Sequence, residues 1–370
     1  MKILSYHPFS LYANGGGSRI LRRLYQGHED EVTALIIQQS AELPPKGRVR
    51  EIVVHASPVI MPWARWKLRN LLIWMRTVAF KPLTVKKVQH AAAKIDFDVL
   101  HVVNHDTFSA ALCNDIICQD KQIWVSFHDH YKEIKSPPAD TQLLWNRAHR
   151  RLVISDELGT QYQKEFGIRP YEVITDGVTA AELSEAATII KEPVTIYFAG
   201  LLHITYLPLF KTLANALDLL NTQGKKFNLV LRGTQNLKFL NGRSFNVDYR
   251  PMTLNDAELK SELDASDLLY LPLKFTSPEF YLYSLSTKMV GYLAAPGTIL
   301  YHGPADSAAC KLLQQHHAGL CFTDLNPVDL ANSIGRLISG DHQYSINAKK
   351  IAQKQFDMAA IRERFWAQQV

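Results

Sequence analysis

Short apolar runs, rich in β-branched and aromatic residues, recur along this chain with amphipathic stretches between many of them. The runs at 1–6, 31–37, 51–54, 98–103, 122–127, 151–154 and 171–174 form one series. Those at 194–199, 227–232, 245–249, 267–272, 297–301 and 319–322 form a second. Strands alternating with helical stretches predict parallel sheets joined by crossover helices, an α/β fold. The series pauses over 175–193, where Asp176-Gly177 opens a polar segment that ends in Lys191-Glu192-Pro193. A fresh strand starts at Val194. The boundary therefore falls at 175/176. The expectation is two Rossmann-like domains of similar size, 1–175 and 176–345, facing a central cleft. The segment 346–370 is expected to be helical and to cross back to the first domain.

Composition narrows the class. A 370-residue chain that is 47% apolar and 21% charged is neither a disordered polyelectrolyte nor a small disulfide scaffold. The net charge of +6 suggests an anionic partner: a nucleotide, a nucleic acid or a membrane surface. No RNP, helix-turn-helix or zinc-finger signature is present, which argues against nucleic acid. Cys113, Cys118, Cys310 and Cys321 form no C-x-x-C pair and lack His partners at zinc spacing, so buried free thiols in a reducing compartment are expected. No apolar run reaches the ~18 residues that span a bilayer, and Met1–Tyr6 reads as a strand rather than a signal peptide. A cytoplasmic protein that touches a membrane from its inner face is the expectation.

The reason for the membrane is residues 52–95. They carry Arg65, Lys67, Arg69, Arg76, Lys81, Lys86, Lys87 and Lys94 and no Asp or Glu. Residues 63–80 are helical in pattern. At 100° per residue, Trp63, Trp66, Asn70 and Trp74 share one face, and Arg65, Arg69 and Arg76 a neighbouring stripe. Indoles beside guanidiniums suit an anionic bilayer interface. The plain alternative is a surface helix whose indoles pack on its own domain.

Four motifs carry chemistry. Asn14-Gly15-Gly16-Gly17-Ser18 opens a helical stretch after the first strand, and such a loop lets backbone N–H groups approach a phosphate. It is not G-x-G-x-x-G, and it serves equally as a flexible turn. His128-Asp129 closes the strand at 122–127, where ligands of open α/β sheets bind. His128 is a candidate for hydroxyl binding or for proton shuttling near neutral pH, with Asp129 to orient it or act as a base. Arg232-Gly233 closes another strand, and the guanidinium fork suits a diphosphate. Finally, Ser286, Thr287 and Lys288 stand at a helix start, where hydroxyls, free N–H groups and an ammonium make an anion site.

Together these pieces resemble the GT-B glycosyltransferases, most closely the large retaining group called family 4. The resemblance runs in order through the Gly-rich loop, the strand ending in His128-Asp129 and Val173-Ile174-Thr175-Asp176-Gly177-Val178. It continues through Phe198-Ala199-Gly200, Asp264–Pro272, the helix from Ser286 to Gly297, and Gly319-Leu320-Cys321 with Asp324. It implies a nucleotide-sugar donor of UDP or GDP type held mainly by the C-terminal domain, an acceptor held mainly by the N-terminal domain, and no metal. Gly16 and Gly17 would lie beside the donor diphosphate, His128 at the donor sugar, and Gly200, Ser286, Thr287 and Lys288 at the donor. The family's G-R-x-x-x-x-K segment reads Gly200-Leu201-Leu202-His203-Ile204-Thr205-Tyr206 here, without the Arg or the Lys. Its E-x7-E pair falls on Tyr283 and Gly291, with Glu279 as the nearest substitute and Arg232 and Lys288 as replacement cations.

The implied activity is a hexosyltransferase-like enzyme acting on a glycan or lipid-linked glycan, in bacterial cell-surface polysaccharide assembly. The alternative is a catalytically inactive GT-B subunit that binds a glycan or a protein partner. A GT-B sugar-nucleotide epimerase leaves the Trp/Arg helix unexplained. A Rossmann dehydrogenase lacks both its glycine fingerprint and an acidic residue after Ile36-Ile37.

Overall fold

A computed structural model describes residues 1–38, 47–57, 69–185, 190–200, 202–340 and 343–367. Contacts divide the chain into two units, Met1–Thr175 with the chain end from Arg364, and Asp176–Glu363.

Unit 1 runs β1 (Ile3–His7), α1 (Gly16–Tyr25), β2 (Val32–Gln38), β3 (Arg50–His55), α2 (Arg69–Trp74), α3 (Lys81–Ala92), β4 (Val99–Val103) and α4 (Ser109–Cys113). It continues with β5 (Gln122–Phe127), α5 (Pro138–Arg147), β6 (Arg150–Val153), α6 (Asp156–Phe166) and β7 (Glu172–Val173). The sheet order is β3-β2-β1-β4-β5-β6-β7, and all its pairs are parallel. β1 and β4 are buried along their whole length. Strands covered on both faces read as largely apolar text, which is why they are legible in the sequence. Ser155 caps α6 by accepting from the Leu158 N–H, and Gly167 ends that helix at φ 100°. β1 lies between β2 and β4, so the chain reverses its winding there. The carboxyl ends of strands around such a switch point are where open α/β sheets bind ligands.

Unit 2 repeats the plan with β8 (Val194–Ala199), α7 (Leu207–Thr222), β9 (Phe227–Arg232), β10 (Asn246–Arg250), α8 (Asp256–Asp264), β11 (Leu268–Pro272) and α9 (Pro278–Tyr281). Next come α10 (Thr287–Leu293), β12 (Thr298–His302), α11 (Ala308–Gln315), β13 (Leu320–Phe322), α12 (Pro327–Ser339), α13 (Gln343–Gln355) and α14 (Met358–Trp366). The parallel order is β10-β9-β8-β11-β12-β13, with its switch point between β8 and β11. Alternate strand residues feed two cores. Ile196, Phe198, Leu229, Leu231 and Tyr270 pack with α7 and α12. Tyr197, Val230, Leu269, Leu271 and Tyr301 pack with α10, α11 and α13.

The chain end differs from the single crossing helix read over 346–370. It forms two helices, broken where Val178 donates to the Phe356 carbonyl and accepts from the Met358 N–H. Only the residues from Arg364 belong to unit 1. There Arg150 donates to the carbonyls of Arg364 and Phe365 at 2.8 and 2.7 Å, and the Trp366 indole donates to the Leu24 carbonyl at 2.8 Å. Phe365 is fully buried against Trp124, His101 and Tyr25.

The basic segment also departs from its helical reading. Trp63, Arg65 and Trp66 lie outside the described residues, as does the side chain of Arg69. After α2 the chain makes a π-turn, Met75–Ala79, closed by the Phe80 N–H on the Met75 carbonyl. A π-turn shifts angular spacing away from 100° per residue. Arg76 consequently turns inward and is buried, so it is not one of the membrane-facing cations expected of it. Leu71, Trp74, Val78 and Leu83 stay outside, each about half exposed. Among the described residues no helix is long and apolar enough to cross a membrane.

Candidate functional site

Each sheet presents one polar cluster at the carboxyl ends beside its switch point. In unit 1 the cluster is built from imidazoles. His7 closes β1, His105 follows β4 by two residues, and His128 directly follows β5. These three strands are neighbours in the sheet. α1 begins beside them with Gly15 as its N-cap, no acidic residue in its first turn and no side-chain cap. A Cβ placed on Gly17 would stand 3.4 Å from His128 Nδ1, so the structure does bring the glycine loop against His128.

The electrostatics of His128 favour one of its two expected roles. Burial first, then the nearby His105 and His7, lower its pKa to about 3. His7 is held at about 4 by burial. Both rings are neutral at pH 7, so proton shuttling near neutrality is not the task this site suits. Neutral imidazoles can donate from one nitrogen and accept at the other, which suits hydroxyl groups. Asp129 is half-exposed, and the residues weighing on His128 are imidazoles rather than the Asp129 carboxylate. The Asp129 backbone carbonyl accepts from the Tyr162 hydroxyl at 3.4 Å. Beneath the cluster runs a buried chain of hydroxyls and imidazole, from Ser5 through Tyr25 and His101 to Ser126, with links of 2.6–2.7 Å.

In unit 2 the cluster centres on Lys288. Its Nζ sits 4.5 Å from the Phe198 ring centroid and has no carboxylate partner among the described residues. Burial lowers its pKa to about 8. Gly200, directly after β8, has φ 139°, and a Cβ there would meet Nζ at 2.7 Å. The positive φ calls for glycine, whereas the ammonium at the tip of a flexible side chain could move aside. The Gly200 peptide is pinned, since its N–H donates to the Arg232 carbonyl at 2.9 Å and its carbonyl accepts from the Thr234 hydroxyl at 3.0 Å. Ser286 is the N-cap of the short α10, and its hydroxyl caps nothing. Thr287 is half-buried beside it.

Arg232 requires a correction. Its guanidinium is buried and donates to Glu262, to Glu258 at 2.7 Å and to the Pro251 carbonyl. Burial pushes the Glu262 carboxyl up, but hydrogen bonds from Arg232, Arg250 and Tyr197 outweigh it and bring the group to about 2. The fork is filled by the protein's own carboxylates and a carbonyl, which leaves it poorly placed for the phosphate role expected of Arg232. Glu279 sits in α9, half-buried, with no ion pair among the described residues. A Cβ on Gly291 would meet nothing within 4 Å.

Sequence reading missed His7, Phe9 and His105. Each stands at or just beyond a strand end, but only the strand order makes them neighbours. Cys113, Cys118 and Cys310 are buried and Cys321 half-buried, all as free thiols.

Neither a protein-family model nor a curated protein sequence matches the chain. Solved structures do. HepE of Anabaena, solved with UDP and glucose, aligns over 99% of this chain and 98% of its own at 16% identity, TM-score 0.66. The fold is GT-B. A glycosyltransferase from Rickettsia africae aligns over 98% and 96% at 13% identity, TM-score 0.65. A UDP-forming α,α-trehalose-phosphate synthase from Burkholderia vietnamiensis aligns over 99% and 98% at 10% identity, TM-score 0.66. With this GT-B architecture the strand-end clusters occupy the position where doubly wound sheets take ligands.

Proposed function

We propose that the chain is a glycosyltransferase of the retaining, family 4 type. It moves a hexose from a UDP- or GDP-sugar to a glycan or lipid-linked glycan in cell-surface polysaccharide assembly. The observation that carries this reading is Lys288. A half-buried lysine whose ammonium is disfavoured by burial, with no carboxylate partner among the described residues and lodged against an aromatic ring and a glycine peptide, is costly unless an anion completes it. Its place beside the β8/β11 switch point suits a diphosphate. The neutral His128 serves the hydroxyls of the transferred sugar, with Gly16 and Gly17 beside it. Gly200, Ser286 and Thr287 line the donor side, and Glu279 offers a carboxylate for donor hydroxyls. The UDP in HepE and the UDP-forming synthase favour UDP over GDP. The proposed reaction needs no metal, so chelation should leave transfer intact.

Titration calorimetry with UDP, GDP, UDP-glucose and GDP-mannose, followed by transfer assays on the tightest donor, tests the reading. Absence of binding to all four sinks it. A second reading has one observation in its favour: Arg232, one of the two cations expected on the donor side, is spent in a carboxylate cluster. On that reading the chain is an inactive GT-B subunit that binds glycan or protein. Nucleotide binding without hydrolysis or transfer would favour it.

The same proposal places the protein peripherally on the inner face of an anionic membrane. Leu71, Trp74 and Val78 are exposed at i, i+3 and i+7 within a segment that has no acidic residue. Lys86 and Lys94 stand exposed nearby in sequence, while Lys81 is paired with Asp140 at 3.3 Å. Liposome flotation should show binding that needs anionic lipid and weakens with salt. Flotation on neutral lipid alone would rule out the electrostatic part.

A further inference from the structure

The loop after β1 carries an aromatic ring to which sugar transfer as described above assigns no task. His7 is fully buried, and its Nδ1 contacts the carbonyl of Phe9, two residues on. A carbonyl only accepts, so Nδ1 carries the proton and Nε2 is left as an acceptor. That Nε2 is buried and has no partner among the described residues. The His7 and Phe9 rings lie 5.3 Å apart between centroids, with planes inclined by 31°. Held in this way, Phe9 reaches over the start of α1. Its Cζ lies 2.8 Å from the point where a Cβ on Gly17 would stand, and His128 Nδ1 lies 3.4 Å from that point. His105 meets Phe9 edge-on at 5.8 Å. Phe9 itself remains half-buried. The absence of a side chain at Gly17 therefore makes room for an aromatic ring.

The chemistry of this cluster selects its ligand. The side chains gathered around Phe9 and the Gly17 position are the imidazoles of His7, His105 and His128, which offer hydrogen bonds to hydroxyls. An aromatic ring flanked by imidazoles, of which His7 and His128 are held neutral by burial, matches a pyranose, whose C–H face is apolar and whose rim carries hydroxyls. We propose that Phe9 is the platform on which a pyranose ring stacks, and that His7 is a positioning residue that holds Phe9 over Gly17. The inference rests on the transferase reading only for the use made of the sugar. The pyranose comes from the donor or from the acceptor, and the experiment separates the two.

Saturation-transfer NMR on the full chain, with methyl α-D-glucopyranoside, UDP-glucose and UDP as probes, reads the contact. Wild-type protein should saturate the ring C–H protons of at least one pyranose. Phe9→Ala should weaken that probe about tenfold while UDP affinity stays unchanged, and Phe9→Tyr should restore it. If Phe9→Ala does not fold, Phe9→Leu keeps the apolar bulk without an aromatic face and should show the same loss. His7→Ala should reproduce part of the loss, and His7→Asn, whose amide N–H can still donate to the Phe9 carbonyl, should recover it. Loss confined to UDP-glucose assigns the platform to the donor sugar, and loss confined to the glucopyranoside assigns it to the acceptor. Saturation of methyl α-D-glucopyranoside by a protein that binds neither UDP nor GDP nor their sugars would remove the transferase reading and leave the platform standing. UDP binding with no pyranose saturation, or saturation unchanged in a folded Phe9→Ala protein, would overturn the platform.

Discussion

The two units are built on the same sheet plan but end their strands in opposite chemistry. Unit 1 gathers His7, His105 and His128, of which His7 and His128 are held neutral by burial. Unit 2 gathers Lys288, an ammonium without a carboxylate partner among the described residues, beside Gly200. Neutral donor–acceptor rings favour hydroxyls, whereas an isolated cation favours an anion. A shared fold therefore says where a ligand sits and leaves its charge to the strand-end residues.

Unit 2 sharpens this contrast within itself, because its two strand-end cations do different work. Arg232 is stabilising. Removing it as Arg232→Ala leaves Glu262 buried with fewer partners, and thermal or urea unfolding should show a loss of about 3 kcal/mol. An unchanged midpoint would mean that the cluster is not holding β9 and α8 together.

Lys288→Ala should act the other way round. UDP affinity should fall by about 10- to 100-fold, or ~1.5–3 kcal/mol, with no loss of stability. The pH dependence has two opposed signs. The folded pKa is lowered from 10.5 to about 8, so between these values the unfolded chain holds more protons. The ligand-free protein should therefore gain stability from this residue as pH rises from about 8 towards 10.5, because the penalty for a buried charge is lifted. Phosphate needs the protonated form, so UDP binding should weaken over the same window, by up to about tenfold per pH unit. Stability and affinity moving together would break the assignment.

His128→Ala tests the neutral side. Turnover at saturating donor should drop about tenfold, the worth of a lost hydrogen bond, with folding retained. Between pH 6 and 8 the wild-type profile should show no inflection from this imidazole, since its pKa is about 3. An inflection near 6.5 that disappears in the variant would restore the proton-shuttle role. The smallest effect expected is at the membrane. Trp74→Ser should reduce flotation on anionic liposomes about threefold, since one half-exposed indole supplies only part of the buried area.

Much of this architecture is legible in the residue order. Buried parallel strands are mostly apolar, so Ile3–His7, Val99–Val103 and Thr298–His302 stand out against amphipathic neighbours even with a histidine in each. Lys288 and His128 are legible for a related reason. A polar residue directly after such a strand, or on the first turn of a helix leading into one, lies at the ligand-binding edge of the sheet wherever that sheet packs.

What the residue order alone could not decide is who meets whom. Arg232 reads as a free fork until α8 brings Glu258 and Glu262 to it, 26 and 30 residues along the chain. Arg76 reads as a lipid-facing cation until a π-turn rotates it inward. Gly17 reads as a phosphate-loop glycine until the fold sets the Phe9 ring over it. Strand and helix periods are local, set within a few residues by side-chain alternation, and a sequence states them directly. Pairing a charge or seating a ring depends on contacts between distant segments, and those exist only once the sheet order has brought the segments together.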